Sequence, residues 1–452
     1  MTVFKAGFSR VDITPPLGVS IAGYFHDRFA SGVLDNLEVN TLVVEYGSDK
    51  AALIALDNLM IIQKQMDEYR NKISAETGLP YESIFISCSH THNAPLIGQD
   101  QLVETRFGDA LYTDLLGRKL SDSVKMALAD CQPAKMGYAT GIAPNISFIR
   151  RFRMKDGSIR TNPGVDNPDI DSPIGRVDER VNVLRFVREK GPEIILANFG
   201  VHPDTIGGDL ISADYPGFVR RETEKIFPNA RCLFFNGVEG DVNHVNVHPT
   251  GGFKNGLQPM FDDVDRGYEH SAYMGRVITG AILQVYDKVK FTKPDCVKAV
   301  QITINAPSNM TEDPDELSLA KKYVDLHLAG KDDEIPYKGM ELTTVVAESL
   351  RMTQLKDGPR EFSLYLSGIR IGEIAFLGIP GEPFTEVGFA IKEKSPFDLT
   401  FPCALTNGAE GYYPTMQAYI EGGYEARSSY FKSGIAELII DKSLNLLESL
   451  YD

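Results

Sequence analysis

The sequence predicts an α/β protein, with mixed β-sheets flanked by helices in a single large domain. Apolar runs of strand length alternate with amphipathic helical stretches, the pattern of a layered α/β core. No internal repeat, low-complexity tract or Pro/Gly/Ser linker divides the 452 residues. The residues that can carry chemistry come from both ends of the chain, which favours one integrated domain over 1–452.

The first strands are expected near 41–45 and 51–56, apolar runs that precede a helix over 63–77. Ile84-Phe85-Ile86 opens a buried strand over 84–88, followed by a polar loop and a long helix near 110–130. Strands are predicted at 182–187, 193–199 and 231–235, with helices near 217–226 and 272–289. Met154-Lys155-Asp156-Gly157 reads as a hairpin turn. Beyond a strand at 298–304 lies an acidic, helical segment around 310–350, whose charge reads as a solvated helix face. Strands at 362–369, 373–377 and 401–405 and a helix near 435–447 close the chain. Hairpins among these elements imply that parallel and antiparallel strands mix.

Composition excludes several classes of function. A formal net charge of −16 disfavours nucleic-acid backbones and anionic membranes as partners. Five cysteines, widely spaced and without a CxxC pair, suggest neither a thiolate zinc cage nor a disulfide framework. No run approaches the roughly 20 apolar residues of a membrane span. The N-terminus shows no apolar leader region, so a cytoplasmic location is expected.

The chemistry concentrates in Ser87-Cys88-Ser89-His90-Thr91-His92-Asn93-Ala94-Pro95. If the preceding strand continues, side-chain alternation places His90 and His92 on one face. His202 sits in a similar setting after Ile194-Ile195-Leu196-Ala197-Asn198-Phe199-Gly200-Val201. Only eight histidines occur, so three at strand ends are a concentration. A catalytic zinc takes three or four nitrogen or oxygen ligands and leaves a position for water or substrate. Glu382 is the best carboxylate candidate, since Gly378-Ile379-Pro380-Gly381-Glu382-Pro383 places it at a strand-to-helix junction. The alternatives are an interior, hydrogen-bonded His202 and a Glu382 that caps its helix.

Together these segments resemble the neutral, or non-lysosomal, ceramidases and their shorter bacterial relatives. Ala6-Gly7-Phe8-Ser9-Arg10-Val11-Asp12-Ile13-Thr14-Pro15-Pro16 looks like that family's start. Ser89-His90-Thr91-His92-Asn93-Ala94-Pro95 is similar to its SHTHSGP signature, with Asn93-Ala94 in place of Ser-Gly. Asn198-Phe199-Gly200-Val201-His202 matches its second zinc histidine, and Gly240-Asp241-Val242-Asn243 is similar to its GDVS element. Pro380-Gly381-Glu382-Pro383-Phe384-Thr385 resembles PGEFT with one proline inserted. Asn407-Gly408-Ala409-Glu410-Gly411-Tyr412 and Tyr424 resemble its paired-tyrosine region.

The resemblance implies that His90, His202, Glu382 and Tyr424 hold zinc, with His92 and Tyr412 facing the substrate carbonyl. Arg150 in Ile149-Arg150-Arg151-Phe152 is the preferred match to the family's arginine over Arg151; the alternative is a surface arginine pair on a hairpin. It further implies hydrolysis of the C–N amide bond of a small-molecule N-acyl substrate, ceramide and other lipids among them, and a place in sphingolipid metabolism. His92 would move protons, while Tyr412 and Arg150 would stabilise the oxyanion. Asn243 stands where the family has serine and cannot be a nucleophile, though it still hydrogen-bonds. The family's C-terminal β-sandwich is not expected, because the chain stops about thirty residues after Tyr424.

A metal-dependent esterase, lactonase or deacetylase acting on a small polar metabolite is the alternative enzyme, and a non-catalytic lipid-binding relative the alternative without turnover. Asp12, Asp57, Asp214 and Asp241 are candidates to orient the histidines or cap turns. His244 and His248, after the Gly240-Asp241 loop, are candidates to approach the site. Phe25-His26-Asp27-Arg28-Phe29 and Met260-Phe261 can line a pocket.

Overall fold

The computed structural model describes residues 2–99, 106–249 and 256–452. Its largest sheet has nine strands. Eight run in the order Ala230–Asn236, Glu193–Phe199, Arg180–Arg188, Gln132–Ile142, Phe4–Asp12, Glu38–Tyr46, Asp49–Leu56 and Ile84–Cys88, and Lys290–Thr292 pairs beside Gln132–Ile142. The interior pairs are antiparallel. At each edge the last pair is parallel, Glu193–Phe199 with Ala230–Asn236 and Asp49–Leu56 with Ile84–Cys88. A second sheet orders Val297–Pro307, Glu361–Ile371, Ile374–Gly378 and Leu399–Cys403, again ending in a parallel pair.

The large sheet curls until its two edge strands face each other. Phe85 and Phe235, from opposite edges, lie 6.2 Å apart edge to face, and Asn236 donates to the Ser89 carbonyl at 3.2 Å. One apolar cluster joins Phe85, Leu196 and Phe235 of the large sheet to Ile369, Phe376 and Phe401 of the second, so both sheets share a core. Asn198 is fully buried and ties the two together, donating to the carbonyls of Phe235 (3.1 Å) and Pro402 (3.2 Å). The free side of Ile84–Cys88 is taken by Asn407, a left-handed residue at φ 57°. Its backbone N–H donates to the Ile86 carbonyl, its side chain accepts from the Ile86 N–H at 2.9 Å, and its amide donates to the Ile84 carbonyl at 3.2 Å.

Helices Gln63–Thr77 and Ala110–Ala129 cover one half of the large sheet, and Asp214–Ile226 with Tyr268–Val285 cover the other. Thr385–Lys394 and Ile435–Tyr451 cover the second sheet. The acidic segment forms two helices, Pro314–Leu328 and Gly339–Leu355. Their outer faces are solvated as expected, but Val324, Ile335, Val346 and Leu350 form a small core against Phe25, and His327 bonds the Phe25 carbonyl at 3.0 Å. The 154–157 turn is present, with Gly157 at φ 83° between strands Arg151–Met154 and Ile159–Thr161. The five cysteines are free thiols.

Two long strands, Phe4–Asp12 and Gln132–Ile142, are not among those expected from the sequence. The second holds Pro133, Gly137 and Gly141, residues depleted from strands. Packing explains Gly141, because a Cβ there would stand 2.3 Å from the Ala281 carbonyl of the covering helix.

Candidate metal centre and active site

The candidate residues come together at the carboxyl ends of the strands that pair in parallel. His90 follows Ile84–Cys88, His202 follows Glu193–Phe199, and Glu382 follows Ile374–Gly378. Open α/β sheets bind ligands outside these strand ends.

The histidine pair is positioned differently from the alternation rule. The strand stops at Cys88, and His90 adopts φ 71°, a left-handed conformation that costs a non-glycine residue about 1–2 kcal/mol. Period two therefore does not apply. The turn is held by His90 N–H donating to Asn58 (2.8 Å) and by Nδ1–H donating to the Leu59 carbonyl (3.0 Å). This fixes the tautomer and leaves Nε2 with its lone pair facing inward. A backbone carbonyl, not an aspartate, orients His90. Asp12 bonds the Thr14 N–H and Asn36, Asp57 pairs with Arg220, Asp214 accepts from Ser271, and Asp241 accepts from the Thr385 N–H at 2.7 Å.

His90 Nε2 lies 3.0 Å from His202 Nε2 and 3.4 Å from Glu382 Oε2, and His202 Nδ1 lies 3.8 Å from the same carboxylate oxygen. Ligand atoms of a tetrahedral ion with arms of about 2.0–2.1 Å stand about 3.3 Å apart, so the spacings of His90 Nε2 to His202 Nε2 and to Glu382 Oε2 match one shared ion, to which His202 would offer Nε2. Among the described residues, His202 Nδ1, Glu382 Oε2 and both ring nitrogens of His92 are buried without a hydrogen-bond partner. Orphaned buried polar atoms are costly, and a cation here would satisfy the Glu382 oxygen and one nitrogen of each ring that reaches it. Burial first, and then the neighbouring His90, hold His92 and His202 well below the usual imidazole range, so both rings are neutral and have lone pairs to offer. The donor set fits a divalent metal.

His92 lies 5.0 Å from His90, centroid to centroid, and tilts against Tyr24 at 5.4 Å. Its carbonyl accepts from Arg28 at 2.7 Å, which locks the backbone. Tyr412 stands opposite Glu382 in a short parallel ladder, and its ring meets Tyr424 edge-on at 5.6 Å. Tyr424 opens the short helix Tyr424–Ser428 and faces the same cavity. Burial, with Glu382 adding, pushes the Tyr412 phenol well above its usual value, so it remains a donor at neutral pH.

Arg150 and Arg151 are both buried, which rules out the surface pair. Arg150 donates to Glu425 at 2.7 Å and to the Gly240 carbonyl at 2.8 Å, and sits 5.5 Å from the Tyr412 ring. Arg151 bonds Glu421 and the Gly422 carbonyl and also approaches Glu425, at 4.0 Å. His248 is exposed, and His244 turns to the Asp265 carbonyl at 2.7 Å and to Asp204. Asn243 bonds Asn162 at 2.9 Å.

Above the cluster is a cavity of about 90 Å³ with apolar walls from Tyr24, Phe25, Leu59, Met60 and Leu96. Phe25 lines it, whereas Phe29 and Phe261 are largely exposed. Tyr430 forms a wall shared with a separate cleft of about 430 Å³. That cleft and another of about 620 Å³ are larger, but neither gathers metal-ligand groups.

Sequence reasoning missed Glu239. It follows the Ala230–Asn236 strand as His202 follows its own, is fully buried, and lies within 4.8 Å of ligand atoms of His90 and Glu382. The available signal was an acidic residue just past a buried apolar strand.

No family model matches this chain, and no curated protein does. Solved structures do match. A neutral ceramidase from Pseudomonas aeruginosa superposes with a TM-score of 0.72 at 17% identity, over 99% of this chain and 75% of that one. A ceramidase complexed with C2 gives a TM-score of 0.74 at 16% identity, over 100% of this chain and 76% of the other. The fold is that of these ceramidases, in agreement with the likeness carried by the motifs and with the expected mixed α/β class.

Proposed function

We propose that this chain is a zinc-dependent hydrolase that cleaves the C–N amide bond of an N-acyl substrate. The observation that carries the reading is the buried meeting of His90 with His202 and Glu382 beneath a cavity faced by His92, Tyr412 and Tyr424, within a ceramidase-like fold. His90, His202, Glu382 and Tyr424 would hold the ion. When bound, zinc supplies Lewis acidity, bringing the pKa of water towards about 7 and polarising the substrate carbonyl.

The chain's own groups do the rest. His92, neutral and without a hydrogen-bond partner for its ring among the described residues, takes a proton from the attacking water and returns one to the leaving amine at Nδ1 or Nε2. Tyr412 donates its phenolic proton to the carbonyl oxygen as negative charge develops there, a contribution of about 3–4 kcal/mol. Arg150, pinned by Glu425, hydrogen-bonds Tyr412 and holds it.

The small cavity bears on the substrate. About 90 Å³ accommodates roughly six to nine water-sized groups. An amide with a short acyl chain fits; most of a long lipid would lie outside. Ceramide-like substrates therefore belong to this reading as a chemical class, with compact acyl groups preferred.

The test is metal content by mass spectrometry for wild type, His90→Ala and Glu382→Ala, with amidase activity before and after chelation. One zinc per chain in wild type, lost in both variants, with activity that falls on chelation, is expected. A metal-free wild type after incubation with zinc, or full amidase activity under chelator, would sink the reading.

A further inference from the structure

Glu239 is the one residue of the cluster with no role so far. Its loop is pressed against the Glu382 segment. Gly240 N–H donates to the Pro383 carbonyl at 2.9 Å, and a Cβ on Gly240 would stand 2.4 Å from the Glu382 carbonyl oxygen. Upstream, Gly237 N–H donates to the Phe199 carbonyl at 2.8 Å, and Val242 N–H returns to the Glu239 carbonyl at 3.1 Å. The backbone thus delivers this side chain to one place.

Charge makes that placement informative. Glu239 is fully buried, and neither of its carboxylate oxygens has a hydrogen-bond partner among the described residues. Neighbouring carboxylates are provided for: Glu425 has Arg150 and Thr161, and Asp241 has Thr385. Arg150 is the nearby cation, yet its hydrogen bonds go to Glu425, the Gly240 carbonyl and Tyr412. Two buried carboxylates side by side without a shared cation would cost several kcal/mol.

The ligand geometry narrows the answer. His90, His92 and His202 form one possible metal triad, and His90, Glu239 and Glu382 form another. His90 has a single free nitrogen, because Nδ1 donates to Leu59, and one lone pair binds one ion. The two triads therefore cannot hold two ions at once, and one ion at His90 Nε2 lies within reach of Glu239 and Glu382.

We propose that Glu239 is a further ligand of this metal, joining His90, His202, Glu382 and Tyr424 around one ion. This rests on the metal-hydrolase reading. Such a set is richer in hard oxygen donors than a three-histidine site, and it narrows the preference for zinc over manganese.

The experiment compares wild type, Glu239→Gln and Glu239→Asp. Zinc and manganese affinities are measured by chelator competition, and the visible spectrum of the cobalt(II)-loaded protein reports the ligand sphere. Glu239→Gln is expected to weaken zinc at least about tenfold, to weaken manganese more, and to change the cobalt spectrum; circular dichroism checks the fold. Unchanged affinity and spectrum in a folded Gln variant would overturn the proposal while leaving the hydrolase reading intact. A wild type that binds no metal would overturn both. If the Gln variant does not fold, the Asp variant decides: altered affinity and spectrum support ligation, and wild-type values refute it.

Discussion

Replacing Tyr412 by phenylalanine isolates one hydroxyl. The ring keeps its place, because its backbone is held in the ladder with Glu382 and its carbonyl accepts from Ser429 at 2.9 Å. Arg150 loses one partner but retains Glu425 and the Gly240 carbonyl, so no buried charge is stranded. The loss should therefore fall on the reaction. One oxyanion donor is worth about 2.7–4 kcal/mol, or roughly 100- to 1000-fold in kcat. The assay is release of a fluorogenic amine from a short N-acyl amide by the metal-loaded protein, with metal content and melting temperature measured in parallel. Expected are a fall in kcat of that size, full metal occupancy and a melting point within a few degrees of wild type. Activity within threefold of wild type would refute the oxyanion role. Loss of the metal would mean that Tyr412, not Tyr424, is the phenol on the ion; Tyr424→Phe is expected to show that opposite pattern.

Three other outcomes are expected. Tyr430→Ala should join the 90 Å³ cavity to the 430 Å³ cleft and shift the preferred acyl chain to longer lengths, read as kcat/KM across an acyl series; an unchanged profile would show that Tyr430 sets no limit. Gly141→Ala should destabilise by about 1–3 kcal/mol, because its Cβ would collide with the Ala281 carbonyl, and denaturant unfolding measures it. Glu410, half-buried, has its carboxyl pushed up to about 7 by burial, against a partial offset from the Gln63 N–H. A raised carboxyl pKa favours the fold at low pH, so its contribution is lost as pH rises from about 4.5 to about 7. Glu410→Gln should therefore gain on wild type across that window, by about 1–2 kcal/mol after discounting for solvent screening; melting curves at pH 4.5 and 8 test this.

His90, His202 and Glu382 were legible because each follows an apolar run, and a buried strand that ends in a polar ligand leaves a local signature. The geometry behind them was not. Alternation was the wrong reason for His90 and His92 to meet, since the left-handed turn at His90 depends on carbonyls from Asn58 and Leu59, about thirty residues away in sequence. Glu239 sits among glycines, where an acidic residue reads as turn chemistry, and only burial without a partner marks it out. Gln132–Ile142 was hidden because its glycines answer to packing from elsewhere, Gly141 to the helix at Ala281 and Gly137 to Val289 and Phe291. Long-range packing erased the local pattern in each of these cases.

The curled sheet and Asn407 have a consequence for solubility. An outermost strand normally offers a row of unpaired donors and acceptors that can recruit a strand from another molecule. Here Ile84-Phe85-Ile86 would be such a template, apolar and uncharged, but the 405–407 segment covers that side, with Leu405 accepting from the Cys88 N–H, Thr406 bridging Ser87 and Asn407 bonding Ile84 and Ile86. A substitution at Asn407 would do more than remove its side-chain hydrogen bonds to Ile84, Ile86 and Ser367. It would uncover an adhesive edge, and the variant should be lost to aggregation before it is lost to unfolding.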